Sequence, residues 1–227
     1  MRDVDIFFFG YGSLIAEPEC DESIVTRSMG QIDGYRRVFN KRSPRRGCER
    51  SAATLVFPDC EYMSFVHDDW VDSLAVGTCL DSSASLIGAL VGYKTSTPET
   101  LLSVVDAREG YDERNERADL GYVREQVMVQ PLDGSTPIAA WTYFSNAGGA
   151  YDVPLPLTAE EQARILINAT PRPGSTVQPP HARGIQYLAD LRRALGRAGC
   201  VDTGLEAVHQ AAIRHDGHWC ELLTAEV

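Results

Sequence analysis

The 227-residue chain has no apolar run long enough to span a bilayer, no Cys-x-x-Cys pair and no excess of positive charge. Each absence removes a class of function. A transmembrane helix needs about 20 consecutive apolar residues, so no membrane role is expected. The six cysteines (20, 48, 60, 79, 200 and 220) are scattered. That pattern lacks the paired spacing of a zinc ribbon or a dithiol redox centre, and it predicts reduced thiols. With 21 Lys and Arg against 32 Asp and Glu, the net charge is −11. A surface of that sign repels phosphate backbones, so no nucleic acid partner is expected. Met1-Arg2-Asp3-Val4-Asp5 is charged and the apolar run after it is too short for a secretory signal, which predicts a cytoplasmic protein. His215-x-x-His218-x-Cys220 holds ligand-type residues, but without a second cluster it predicts no zinc centre. No metal and no cofactor is expected. The oligomeric state is left open.

Hydrophobic residues at 44% and charged residues at 23% describe an ordinary globular chain. Its length fits a single domain over 1–227, with a strand-rich part at 1–145 and a helical part at 157–227. Strands are expected at Ile6 to Phe9, Ile32 to Phe39, Ala52 to Phe57, Leu74 to Leu80, Leu86 to Tyr93, Tyr122 to Val129 and Ile138 to Phe144. A helix is expected from Pro98 to Arg108, capped by Thr97, with Leu101, Leu102 and Val105 on its apolar stripe. Thr158-Ala-Glu-Glu161 has the form of a capping box for a helix through Ile167. The Pro-rich stretch Thr170 to Pro180 cannot be helical. Gly184 to Arg197 places Ile185, Leu188, Leu191 and Leu195 on one face, and a shorter helix follows Thr203.

The stretch Phe9-Gly-Tyr-Gly-Ser-Leu-Ile15 carries the most information. It follows the first strand, and its two glycines permit a turn that gathers backbone N–H groups around a small anionic or carbonyl group. It is not a dinucleotide loop, because Gly-x-Gly-x-x-Gly would need glycine at Ile15. Ser13 lacks the Gly-x-Ser-x-Gly elbow of a nucleophilic serine. About a hundred residues on, Glu109-Gly110-Tyr111 supplies a carboxylate at a helix end. Its bland reading is a glutamate in water, as most are. A basic run of Arg36, Arg37, Lys41, Arg42, Arg45, Arg46 and Arg50 has two readings, cations for substrate carboxylates or a solvated hairpin. Donors in the early loop and an acid/base on the helix suggest an enzyme for a small acyl compound.

Together these residues resemble the γ-glutamyl cyclotransferases. Phe9-Gly-Tyr-Gly-Ser-Leu-Ile15 is similar to that family's pocket loop. Gly34-Tyr-Arg-Arg-Val-Phe39, followed by Ser43 and Arg46-Gly47, looks like its glutathione-degrading ChaC branch. Asp106-Ala-Arg-Glu-Gly-Tyr111 falls where the family has its catalytic glutamate. Tyr122-x-Arg124-x-x-Val127-x-Val129 matches the strand after it, and Gly184-Ile-Gln-Tyr-Leu188 resembles the branch's C-terminal helix. The resemblance implies an α+β fold, a small mixed β-barrel of about six strands with flanking helices. It implies release of 5-oxoproline from glutathione or another γ-glutamyl amide, a small-molecule substrate, through attack of the substrate's own α-amine on its γ-carbonyl. Glu109 is then the general acid/base. Backbone groups of Tyr11, Gly12, Ser13 and Leu14 bind substrate and Tyr143 lines the pocket. Apart from the resemblance, the glycine carboxylate of glutathione needs a cation, which Arg45 or Arg46 could supply. Pro171 to Arg183 departs from the branch, being longer and Pro-rich. Glu109-Gly110-Tyr111 also looks closer to the branches that act on γ-glutamylamines or remove biosynthetic γ-glutamyl groups, so removal of a γ-glutamyl group from a specialised metabolite or γ-glutamylamine stays open. A second alternative is a non-catalytic barrel that binds a ligand or a protein.

Overall fold

The computed structural model describes residues 4–15, 21–49, 66–67, 69–115, 121–153, 156–173 and 184–215. The expected strand Ala52 to Phe57, His218, Cys220 and most of the Pro-rich stretch lie outside these. Seven strands follow the order β3-β4-β1-β6-β5-β2-β7, and β4 also pairs with β2. Here β1 is Ile6–Gly10, β2 Ile24–Glu49, β3 Val66–His67, β4 Trp70–Tyr93, β5 Tyr122–Pro131, β6 Ile138–Ser145 and β7 Thr170–Pro171. The extra β2–β4 pairing closes five strands into a mixed barrel and leaves β3 and β7 outside it. Helices are α1 (Pro98–Glu109), α2 (Ala159–Asn168), α3 (Gly184–Arg197) and α4 (Thr203–His215). None of the described helices is long and apolar enough to cross a membrane.

The chain divides into two compact units, residues 1–37 with 77–152 and residues 38–76 with 153–227. In the first, β1 lies between β4 and β6. Phe8 and Phe9 are buried on it, and burying each ring contributes about 1.5–3 kcal/mol. β1 runs antiparallel to β4 over Ile6↔Tyr93 to Gly10↔Ala89 and parallel to β6 at Phe8↔Trp141. β5 and β6 form an antiparallel ladder from Tyr122↔Ser145 to Val129↔Ile138. Leu74 to Leu80 and Leu86 to Tyr93, expected as two strands, are one. Asp81 Oδ1 accepts from the Ser83 N–H at 3.0 Å and from its hydroxyl at 2.6 Å, so the polar break in the pattern is a local side-chain turn within a continuous strand. Ile32 to Phe39 likewise belongs to a longer strand, which accommodates Gly34 at φ +86°. That value fits a bulge and explains why glycine stands there.

Helix α1 begins at Pro98 as expected, with Leu101 and Val105 buried. Thr97 does not cap it. Its side chain makes no capping hydrogen bond, and Thr97 sits at φ −136° and ψ 69°, away from the extended conformation that aims a capping hydroxyl. Thr97 supplies only its carbonyl, to the N–H groups of Thr100 and Leu101.

The second unit is built around α2, α3 and α4. The capping box forms: the Thr158 hydroxyl accepts from the Glu161 N–H at 3.2 Å, and Glu161 Oε2 accepts from the Thr158 N–H at 2.7 Å. Ile185, Leu188, Leu191 and Leu195 are all buried, as the helical period predicts, against a core that includes Leu166 and Ala211. α3 starts where only glycine fits, since a Cβ on Gly184 would stand 2.6 Å from the Leu166 carbonyl oxygen. Two charged pairs tie the helices outside the core, Arg214 to Glu160 and Arg192 to Glu206, each at 2.6 Å.

Candidate functional site

The first unit brings Tyr11, Gly12, Ser13, Leu14, Tyr143 and Glu109 into one set of contacts. After β1 the chain makes a single 3-10 turn at Ser13–Ile15, closed by the Ile15 N–H donating to the Gly12 carbonyl at 3.0 Å. The glycines were expected to supply unusual backbone angles. Neither Gly10 nor Gly12 has positive φ. What Gly10 supplies is space, because a Cβ there would stand 2.3 Å from that of Leu14, folded back over it. Leu14 and Tyr11 are both buried, so the loop is anchored from below by its own side chains.

Its carbonyl and hydroxyl oxygens are held by arginines. Arg37 Nε donates to the Tyr11 carbonyl at 2.9 Å, and the other side of the same guanidinium donates to Ile87 O at 2.5 Å. Arg27 donates to the Ile15 carbonyl. Arg108 Nη2 donates to the Ser13 hydroxyl at 3.0 Å. The Tyr11 hydroxyl donates to the Tyr143 carbonyl at 2.5 Å, which joins the loop to β6. Arg37 belongs to the basic run for which a substrate-binding or a solvated role was considered. It has neither, being 5% exposed with two backbone carbonyls as partners. Charge-assisted bonds of this kind fix backbone geometry more firmly than neutral ones.

Glu109 is the last residue of α1. Gly110 follows at φ +71°, a left-handed conformation that glycine adopts without penalty, and the Tyr111 N–H returns to the Asp106 carbonyl at 2.9 Å. The helix therefore stops directly after the glutamate. The Glu109 side chain is 14% exposed, well short of a glutamate in open water, and its Oε1 is 3.6 Å from Arg108 Nε. Arg108 thus reaches both the Ser13 hydroxyl and the Glu109 carboxylate.

One turn earlier on α1, Asp106 Oδ1 accepts from the Tyr143 hydroxyl at 2.8 Å while Oδ2 pairs with Arg124. The Arg124 guanidinium lies 4.8 Å from the ring centre of Tyr111 and 5.2 Å from that of Trp141. Tyr111 meets Tyr143 edge to face at 6.4 Å. Burial holds the Tyr143 phenol well above its ordinary ionisation range. The hydrogen bond to Asp106 and the negative charges of Asp106 and Glu109 add to this, against Arg124. Burial also raises the Asp106 carboxyl, more than Tyr143 and Arg124 lower it.

Arg46 belongs to the second unit. It is buried on β2 beside β7, in register with Pro171, with its guanidinium 4.5 Å over the Tyr187 ring. Among the described residues no His, Cys, Asp and Glu cluster is arranged to hold a metal ion. The residues that sequence reasoning missed are Arg27, Arg108, Asp106 and Arg124. Asp106 left a signal, since a carboxylate three residues before Glu109 on a helix shares its face.

A family model described as ChaC-like protein matches residues 6–214. The fold is similar to that of a yeast γ-glutamyl cyclotransferase specific to glutathione, in two crystal structures. The selenomethionine-labelled one aligns with a TM-score of 0.66 at 16% identity, covering 95% of this chain and 99% of that one. The other aligns at 0.59 and 17% identity, over 92% and 98%. Curated protein sequences return no match.

Proposed function

We propose that this chain, which belongs to the ChaC-like protein family, is a γ-glutamyl cyclotransferase that releases 5-oxoproline from glutathione or a related γ-glutamyl amide. The observation that carries the reading is the meeting of Glu109 with the loop after β1. The carboxylate ends its helix next to the arginine that grips Ser13, in a half-buried setting. The yeast enzyme of similar fold, named for its specificity to glutathione, supports the choice of substrate.

The chemistry asks little of the protein. The substrate's α-amine is already tethered to the γ-carbonyl it attacks, and well-oriented intramolecular reactions reach effective molarities of about 10⁵–10⁸ M. Glu109 takes a proton from the α-ammonium, and the freed amine closes a five-membered ring on the carbonyl carbon. The oxyanion that forms is stabilised by backbone N–H groups of Tyr11 to Leu14. As the C–N bond to the leaving group breaks, Glu109 returns its proton to the departing nitrogen, and the ring nitrogen releases its second proton to solvent to give the lactam. The products are 5-oxoproline and a free amine, which for glutathione is cysteinylglycine. One carboxylate serves both transfers. Tyr143 lines the same pocket.

A cytoplasmic location goes with this reading, since glutathione and reduced thiols share that compartment. The test is 5-oxoproline release, followed by mass spectrometry, from glutathione, γ-glutamyl-alanine, γ-glutamyl-lysine and γ-glutamyl alkylamines. Preference for an amine over glutathione would move the substrate to the γ-glutamylamines. No release from any of them would favour a specialised metabolite or a binding role.

A further inference from the structure

We infer that Tyr143 presents its phenol oxygen as a hydrogen-bond acceptor to the substrate's α-ammonium group, and that Asp106 is the positioning residue that fixes this polarity. The inference rests on the γ-glutamyl reading above and assigns the amine end of that substrate.

A phenol has one proton to donate, and its oxygen can also accept. At Tyr143 the proton is committed to Asp106 Oδ1 at 2.8 Å. An ionised carboxylate only accepts, so it cannot return a proton to the phenol. Arg124 holds the other Asp106 oxygen, and its own position is set by the Tyr111 and Trp141 rings, so the carboxylate is not free to turn away. Glu113 Oε2 stands 3.9 Å from Arg124 on the outer side. What remains of the Tyr143 hydroxyl is its accepting side. The strand is held as well, because the Tyr143 carbonyl receives the Tyr11 hydroxyl.

Glu109 lies one helical turn beyond Asp106, and its charge is felt at the Tyr143 phenol. That corner therefore combines an oriented acceptor and a carboxylate. It suits an ammonium, which has three protons to donate and a positive charge, and it disfavours a developing oxyanion. The γ-carbonyl end must then face the loop of Tyr11 to Leu14, leaving Tyr143 no part as an oxyanion donor. Reversing the acceptor would reverse the preference: a carboxamide at 106 can turn its NH2 toward the phenol oxygen, which sends the phenol proton outward against the ammonium.

The experiment compares Tyr143→Phe, Asp106→Asn and the double variant on two ligands. One is glutathione, scored by kcat and KM. The other is its desamino analogue, the glutaryl amide of cysteinylglycine, which cannot cyclise and is scored as a competitive inhibitor. We expect Tyr143→Phe to raise KM for glutathione about tenfold or more, as loss of a bond to a charged group does. The inhibition constant of the desamino analogue should stay within about twofold, since one well-packed oxygen is all that changes. Asp106→Asn should cost at least as much on glutathione, and the double variant no more than Tyr143→Phe alone. Equal weakening of both ligands would overturn the inference, because a distorted pocket does not discriminate by the amine. So would single effects that multiply in the double variant. Should Asp106→Asn fail to fold, Tyr143→Phe with the two ligands still decides. Wild-type protein that releases no 5-oxoproline would sink the cyclotransferase reading and the inference with it, a result distinct from turnover that ignores Tyr143.

Discussion

The two units solve different problems with different interactions. The helical unit buries apolar side chains, Leu166, Ile185, Leu188 and Ala211 among them, with the Arg214–Glu160 and Arg192–Glu206 pairs outside that core and Arg46 buried against the Tyr187 ring. The barrel unit buries apolar rings too, but around the loop after β1 it relies on polar side chains that hold backbone oxygens: Arg37, Arg27, Arg108 and the Tyr11 hydroxyl. Apolar packing is non-directional and sets stability, whereas charge-assisted hydrogen bonds fix the aim of a particular group. A unit that must hold a loop in one geometry needs the second kind.

The sharpest break of that contrast is Glu109→Gln. It keeps the size and position of the side chain and removes the proton acceptor. Turnover should fall by about 10²–10⁴-fold, the usual contribution of a general acid/base, with the melting temperature nearly unchanged. Unchanged turnover would mean that another group, not Glu109, moves the protons.

The opposite result is expected in the helical unit. Leu188→Ala leaves a cavity in a fully buried site and should cost about 2–5 kcal/mol in denaturant unfolding. Intermediate between the two stands Arg37→Met. It leaves the carbonyls of Tyr11 and Ile87 without their donor, at about 1–3 kcal/mol for each buried group left unsatisfied. Unlike Leu188→Ala it should also lower kcat at temperatures where the protein remains folded, because the loop loses its aim. If both changes lower kcat only in proportion to the folded fraction, the division of labour between the units is wrong.

A smaller effect separates two caps. Thr158→Ala should cost about 1 kcal/mol, since it removes one half of a formed capping box. Thr97→Ala should cost far less, because the Thr97 side chain makes no capping bond. Equal melting-temperature losses would contradict the difference between the α1 and α2 starts.

Much of this was legible in advance, and the pattern of what was not has physical causes. The three helices of the second unit follow from periodicity and caps, because a repeating apolar stripe leaves a strong local signature. Gly110 was read with Glu109, and its left-handed φ explains why the helix ends where it does. Barrel closure was not legible from composition or period, since β2–β4 pairing joins residues far apart in sequence; it came from the resemblance to a known family. The two expected strands within β4 look separate because a turn-forming side chain interrupts the alternation without interrupting the backbone. Arg37 could not be told from its exposed neighbour Arg36, which pairs with Asp81 at 3.7 Å, because a run of cations carries no mark of which one is buried. The partners of Asp106 come from β5 and β6, and only the folded chain brings them to one carboxylate.

The finest contrast lies between two aspartates near the end of α1, and it appears as the sign of a pH slope. Burial raises the Asp106 carboxyl above the ordinary aspartate value of 3.8. Its ionised form is the costlier one in the folded state, so the stability it contributes is fully present below that ordinary value. That contribution is lost as the pH rises through the raised folded value. Asp112 is the reverse: its hydrogen bonds from the Arg114 side chain and N–H lower it to about 2. Its contribution is present above the ordinary value and lost as the pH falls toward 2. Urea unfolding of wild type, Asp106→Asn and Asp112→Asn across acid pH should therefore give difference curves of opposite slope. Asp112 and Arg114 are solvent-exposed, so that curve should flatten in high salt, whereas the Asp106 curve should persist. Slopes of the same sign would mean that Arg124, rather than burial, governs Asp106.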